Sequence, residues 1–148
     1  MSNRKILPFA ATHQVRDHCL CLAVQRAARA LARRFDDAMR GMDLTHGQFS
    51  LLMSLNRPEP PSIGEVAHFL AMDRTTLTAN LKPLERRGLL KVAVDKDDRR
   101  GRRLTLTPAG HALLIDALPI WKKTHAGIDD MLADRKPDHL RELLALLS

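Results

Sequence analysis

Apolar and polar positions alternate with a helical period over most of this chain, and the places where the period breaks mark its elements. From His18 to Met39, Leu20, Val24, Ala27, Ala28, Leu31 and Phe35 recur close to every 3.6 residues, which predicts one long amphipathic helix. Its other face carries Arg26, Arg29, Arg33 and Arg34. Gly41 stops it. Thr45 and Gln48 then have the spacing of a capping box, in which each side chain satisfies the other residue's free amide, and they open a helix that runs to Leu55. The segment RPEPP at 57–61 is a turn, and Ser62 with Glu65 repeats the box at the head of a short helix ending near Leu70.

The next stretch, AMDRTTLTANLKPLERRGLL, places Asp73 at a helix N-cap and Leu77, Leu81 and Leu84 on one buried face. Thr75, Thr76, Ala79 and Lys82 point the other way. Two helices joined by a short turn, the second with small hydroxyl residues and a lysine on its outer face, form a helix-turn-helix pattern. Pro83 removes one amide donor and crowds the carbonyl of Ala79, so a bend is expected near the helix end. Gly88 ends the helix, LLKVAV follows as a strand, and RLTLT returns antiparallel to it, which makes 89–107 a β-hairpin. Thr107 before Pro108 is an N-cap with proline at the first helical position. A helix through LLIDALPIW, kinked at Pro119, and a last one over DHLRELLALLS, with Leu140, Leu143, Leu144 and Leu147 in a stripe, complete the chain.

The hairpin tip gives this pattern its chemistry. DKDDRRGRRLTLT, residues 95–107, sets four arginines and a lysine beside three aspartates. A hairpin directly after a recognition helix is a wing, and its charged tip reaches phosphates or the minor groove beside the helix. A formal net charge of +7 points the same way, toward anionic partners. By itself a charge run on a hairpin is a solvated turn, and threonines on a helix face can be filler; the preceding helix-turn-helix is what favours DNA. No stretch approaches a membrane span and the start MSNRKILPFAATHQ has no long apolar core, so the chain reads as cytoplasmic, without a membrane partner.

These residues, SIGEVAHFLAMDRTTLTANLKPLERRGLL followed by DRRGRRLTLTPAG, resemble the MarR family of winged-helix transcription regulators over about Cys19 to Trp121. The specific part is the wing motif, Asp98 and Arg100 followed by Leu106 and Thr107. The resemblance implies that Asp98 orients the wing, that Arg100 enters the minor groove, and that Arg99 and Arg102 contact phosphates or the groove. Members of that family often carry Arg where this chain has Ala79, which moves the expected base-reading set to Arg74, Thr75, Thr76, Thr78 and Lys82. The implied fold is mainly α with a small β-hairpin wing: an N-terminal dimerisation helix at 1–40, a winged helix-turn-helix at 41–110 and C-terminal dimerisation helices at 111–148. The implied partners are a second copy of the chain and double-stranded DNA carrying a roughly palindromic operator. Also implied is a small aromatic or anionic effector, in a cleft for which His18, Cys21, His46, Phe49, Met53 and Trp121 are candidates, although residues of these kinds are more often core residues than ligand contacts. The expected activity is repression released by that effector.

Other readings stay open at this point. Cys19 and Cys21 form no disulfide framework, and on one helix they would diverge by about 200°. A buried structural role is the ordinary reading for Cys21, and a thiol-reactive sensor is the rival. A metal site from His13, His18 and Cys19 is not assembled by their spacing, so no metal or cofactor is expected. A sequence-tolerant architectural or RNA-binding protein could use the same charge, although only 3% aromatic residues argue against stacking on single strands. An enzyme is not expected, because phosphate-cradling glycine loops, HExxH and nucleophile elbows are all absent.

Overall fold

A computed structural model describes residues 5–148. Seven α-helices and one hairpin follow in the order α1 (Phe9–His18), α2 (Leu20–Met39), α3 (His46–Ser54), α4 (Ile63–Phe69), α5 (Arg74–Arg86), β1 (Leu90–Val94), β2 (Arg102–Leu106), α6 (Pro108–Leu132) and α7 (Pro137–Ala145).

The helix starts are where side-chain chemistry placed them. Thr45 Oγ1 accepts from the Gln48 amide at 3.2 Å while Gln48 Oε1 accepts from the Thr45 amide at 3.1 Å. Ser62 and Glu65 form the same reciprocal pair at 3.2 and 2.7 Å. Asp73 Oδ1 accepts from the Thr76 amide at 2.8 Å, and Thr107 Oγ1 from the Gly110 amide at 3.1 Å. Each bond satisfies one of the amides that a helix leaves free at its first turn.

The start of the long first helix differs from expectation. The chain is helical from Phe9, breaks at Cys19 and restarts at Leu20, because Cys19 is extended (φ −76°, ψ 104°) and its Sγ caps α2 by accepting from the Leu22 amide at 3.4 Å. The two thiols therefore do not share one helix, and the 200° separation does not apply. α6 runs through Pro119 as a single helix of 25 residues. Between α4 and α5 the turn uses Ala71 at φ 51°, a left-handed position filled without glycine.

Met39, Leu52, Val66, Leu77, Leu84, Leu90 and Leu104 are almost fully buried and join α2, α3, α4, α5 and the hairpin into one core. α2 packs along α6, and α3 lies against both. In the hairpin, Leu90 faces Leu106 and Val94 faces Arg102. Pro61 and Ser62 run beside β2, with the Leu104 amide donating to the Pro61 carbonyl at 2.9 Å, so the wing is tied to the start of α4. Of the predicted stripe on α2, Phe35 is buried, whereas Leu20 and Leu31 remain exposed. Phe9, Val15, Ile115, Met131, Leu140, Leu143, Leu144 and Leu147 are exposed as well.

Candidate nucleic-acid interface

α5 turns Leu77, Leu81 and Leu84 into the core, which leaves Arg74, Thr75, Thr76, Thr78, Ala79 and Lys82 exposed. The hydroxyls of that face are not equivalent. Thr76 Oγ1 donates to Asp73 Oδ2 at 2.7 Å, and Thr78 Oγ1 donates to the Arg74 carbonyl at 2.8 Å, so both serve the helix itself. The Thr76 hydroxyl, followed by its amide, holds the Asp73 carboxyl below its ordinary range, which keeps the cap ionised. Among the described residues the Thr75 hydroxyl has no intramolecular partner and is free for an outside acceptor or donor.

In the wing, Asp98 Oδ1 accepts from the Arg100 amide at 3.0 Å, and the Gly101 amide donates to the Asp98 carbonyl at 2.9 Å. Asp98 thereby shapes the tip from which Arg99 and Arg100 project into solvent. The Arg102 guanidinium folds back on the carbonyls of Arg99 and Gly101, at 3.3 and 3.0 Å. The wing base is held by a pair the sequence reading missed. Arg103 Nε donates to Asp95 Oδ2 at 2.7 Å, and Arg103 Nη1 reaches the Pro60 carbonyl at 3.3 Å and Glu65 Oε2 at 3.5 Å. The Asp95 side chain is only 10% exposed. Its carboxyl lies below the ordinary range, chiefly because the Asp97 amide donates to it, with Arg103 adding to the effect against the cost of burial. A signal for this pair was present. Residues 93 and 95 share one face of the hairpin, and Arg103 is opposite Ala93, so Asp95 and Arg103 are diagonal neighbours.

Behind the helix-turn-helix, α2, α3 and α6, with Phe69 of α4, line an open apolar cavity of about 450 Å³. His46, Phe49, Met53 and Trp121 line it, together with Leu31, Phe35 and His125, which sequence reasoning did not select. His18 and Cys21 do not line it; both are exposed, His18 at the end of α1 and Cys21 in the first turn of α2. The Trp121 ring stacks near Phe49 at 6.3 Å and lies 4.9 Å from His125, one turn further along α6. Burial lowers the His46 pKa, and the charge of Asp36 opposes that only in part. His125 follows Trp121 at i+4, the spacing that would have revealed it. Among the described residues no group of His, Cys, Asp or Glu is arranged to hold a metal, and no helix is long and apolar enough to cross a membrane.

A helix presented after a tight turn, with a basic hairpin beside it and a closed core behind both, defines a winged helix-turn-helix DNA-binding protein. The comparisons with known proteins make the class narrower. The MarR family profile matches residues 44–101. The chain is 33% identical over 132 residues to the HTH-type transcriptional regulator TtmR of Methylorubrum extorquens, covering 88% of this chain and 66% of that relative. The match thus spans just under two thirds of the relative's length. Among solved structures, the transcriptional regulator MosR of M. tuberculosis in complex with DNA is similar at a TM-score of 0.78 and 35% identity, covering 87% of this chain and 93% of that one. Bordetella bronchiseptica BpsR, whose DNA binding is regulated by 6-hydroxynicotinic acid, is similar at a TM-score of 0.69 and 26% identity, covering 88% and 96%. This chain belongs to the MarR family of DNA-binding transcriptional regulators.

Proposed function

We propose that this regulator is a two-fold dimer that occupies a roughly palindromic operator in the cytoplasm and represses transcription until a small aromatic, anionic effector enters the cavity beside Trp121. In this reading residues 41–110 bind DNA, while 1–40 and 111–148 join the subunits and set the two α5 helices one DNA turn apart, about 34–36 Å. The apolar side chains left in water on α1, α2, α6 and α7 support the dimer, since a second copy packed on these helices would cover them. Arg74, Thr75, Thr78 and Lys82 face the major groove, and Arg99, Arg100 and Arg102 the neighbouring backbone and minor groove. Thr76 supports them through the cap on α5.

The observation that carries the effector reading is the double attachment of α6. Trp121 and His125 on this helix wall the cavity, and its first turn grips the junction between α5 and β1. There Thr107 Oγ1 donates to the Gly88 carbonyl at 2.6 Å and the Thr107 amide to the Leu89 carbonyl at 3.1 Å. A ligand that wedges Trp121 away from Phe49 shifts the helix that sets recognition-helix position, which is the differential contact that allosteric release requires. An aromatic acid fits the cavity because its ring matches the apolar walls, while the imidazoles of His46 and His125 offer ring N–H donors to its carboxylate. The ligand of BpsR is of that chemical class.

Trp121 is the only tryptophan of the chain, so the test is direct. Aromatic carboxylates should change its fluorescence at the same concentrations that release a labelled operator duplex. Release with Trp121 unperturbed would place the effector elsewhere, and a monomer in sedimentation at micromolar concentration would sink the dimer. A thiol-reactive repressor is the second reading. Cys19 caps α2 through its sulfur, so its oxidation or alkylation removes that cap. If peroxide or an arsenical leaves DNA affinity unchanged, the thiol reading falls.

A further inference from the structure

Between α5 and the wing lies a groove of about 410 Å³. Arg74 lines it from α5, Arg100 and Arg102 line it from the wing, and Gly64 lines it from the first turn of α4. Two acids also line it, yet both are engaged. Asp95 holds Arg103 at 2.7 Å, and Asp98 accepts from the Arg100 amide at 3.0 Å. Three guanidiniums thus face one carboxylate that Arg103 neutralises and one, Asp98, that keeps its charge, so the groove is net positive.

The Arg74 guanidinium rests on Gly64. A Cβ placed there would stand 2.8 Å from Nη2 and 3.6 Å from Cζ, closer than ordinary packing allows for the nearer atom. No acid among the described residues pairs with this guanidinium. Its donors are held over the groove by packing alone. When a recognition helix enters a major groove and a wing enters the adjacent minor groove, one sugar-phosphate strand must run between them, because that strand is what separates the two grooves.

The geometry points to this groove as the seat of that strand, with Arg74 as a phosphate contact rather than a base reader, and Gly64 as the residue that positions Arg74 by having no side chain. The assignment rests on the winged-helix DNA-binding reading. It makes Gly64, which has no side chain to offer DNA, a determinant of affinity.

The experiment compares wild type, Arg74→Ala, Gly64→Ala, Gly64→Leu and the double variant Gly64→Leu/Arg74→Ala. Each is titrated by anisotropy across a salt series, against a mixed-sequence duplex and against the duplex that wild type selects from a random library. Binding by wild type tests the DNA-binding reading; the variants test the groove. Arg74→Ala should weaken both duplexes by about the same factor, on the order of tenfold per subunit near 50 mM salt. It should also reduce the slope of log affinity against log salt by about 0.9 per lost phosphate contact. Gly64→Ala crowds only the far end of a flexible side chain, so it should bind slightly less tightly. Gly64→Leu fills the seat and should approach Arg74→Ala. Both Gly64 variants should melt no lower than wild type, since Ala and Leu suit a helix better than Gly. In the double variant Gly64→Leu should add nothing to Arg74→Ala. A purely structural role would lower melting temperature and affinity together, and would add in the double variant. Wild-type affinity in Gly64→Leu, or additive losses, overturns the seat. A loss confined to the selected duplex with an unchanged salt slope overturns the phosphate contact in favour of base reading.

Discussion

The grip of α6 on the α5–β1 junction can be tested by one methyl group. Gly110 lies in the first turn of α6, and a methyl built there would overlap the Leu89 carbonyl oxygen and stand 2.9 Å from Leu106 Cδ1. The nearest obstacle is backbone, so α6 or the junction has to retreat by on the order of 1 Å to reach ordinary van der Waals distance. That movement strains the two hydrogen bonds of Thr107 at the same joint, to the carbonyls of Gly88 and Leu89. Losing them costs about 1 kcal/mol each. Overpacking adds about 2 kcal/mol. The preference of a helix for Ala over Gly offsets this by about 0.5–1 kcal/mol. Gly110→Ala should thus destabilise the protein by about 3 kcal/mol and lower its melting temperature by roughly 6–12 °C for a chain of this size. Gly47, exposed in the first turn of α3 with nothing within 4 Å of its built Cβ, is the control. There the same substitution should leave melting unchanged or raise it by about 1–2 °C. The assay is thermal unfolding by circular dichroism at one fixed protein concentration, since a dimer's melting depends on concentration. A Gly110→Ala protein that melts within 1 °C of wild type, or above it, would refute the close approach on which the coupling between cavity and recognition helix depends.

Other substitutions probe separate parts of the argument. Ala71→Gly relieves a left-handed residue in the turn of the helix-turn-helix, and should stabilise by up to about 1 kcal/mol in the same melting assay, with Ala71→Val lowering it. His46 is held below its usual 6.5 by burial, so the unfolded chain binds more protons than the native one as pH falls from about 7 to 5, and stability falls with it. His46→Gln should flatten the dependence of denaturation midpoint on pH in that window; an unchanged slope would mean another group carries it. Thr75→Ala should relax preference at one operator position by about 1–3 kcal/mol, measured by anisotropy on single-base variants, because its hydroxyl is the free one. Thr76→Ala should leave that preference near wild type, its hydroxyl being spent on Asp73.

The elements of the winged helix were legible because each rests on chemistry within a few residues. Thr45 and Gln48, Ser62 and Glu65, Asp73 and Thr76, and Thr107 before Pro108 all satisfy amides inside one turn of themselves, and the period of Leu77, Leu81 and Leu84 is local as well. The roles of Asp98 and Arg100 at the wing tip came from the family resemblance, and the structure shows the tight turn in which the Arg100 amide donates to the Asp98 carboxylate and the Gly101 amide to its carbonyl. The break at Cys19 was not legible, since apolar periodicity continues on both sides of it and a cysteine sulfur is a weak cap. Nor does Ala71 carry a turn signal; its left-handed backbone closes α4, with the Ala71 amide on the His68 carbonyl and the Met72 amide on the Ala67 carbonyl, at a position where glycine is the usual cue. What only the tertiary structure decided is which distant residues meet. It brought Leu31, Phe35 and His125 to the same cavity as His46 and Trp121 and left His18 and Cys21 outside. It also brought Arg103 to the Pro60 carbonyl and laid Arg74 over Gly64. Those outcomes depend on how helices far apart in the chain cross, and such crossings are set by the combined packing of the core, which no short window of sequence contains.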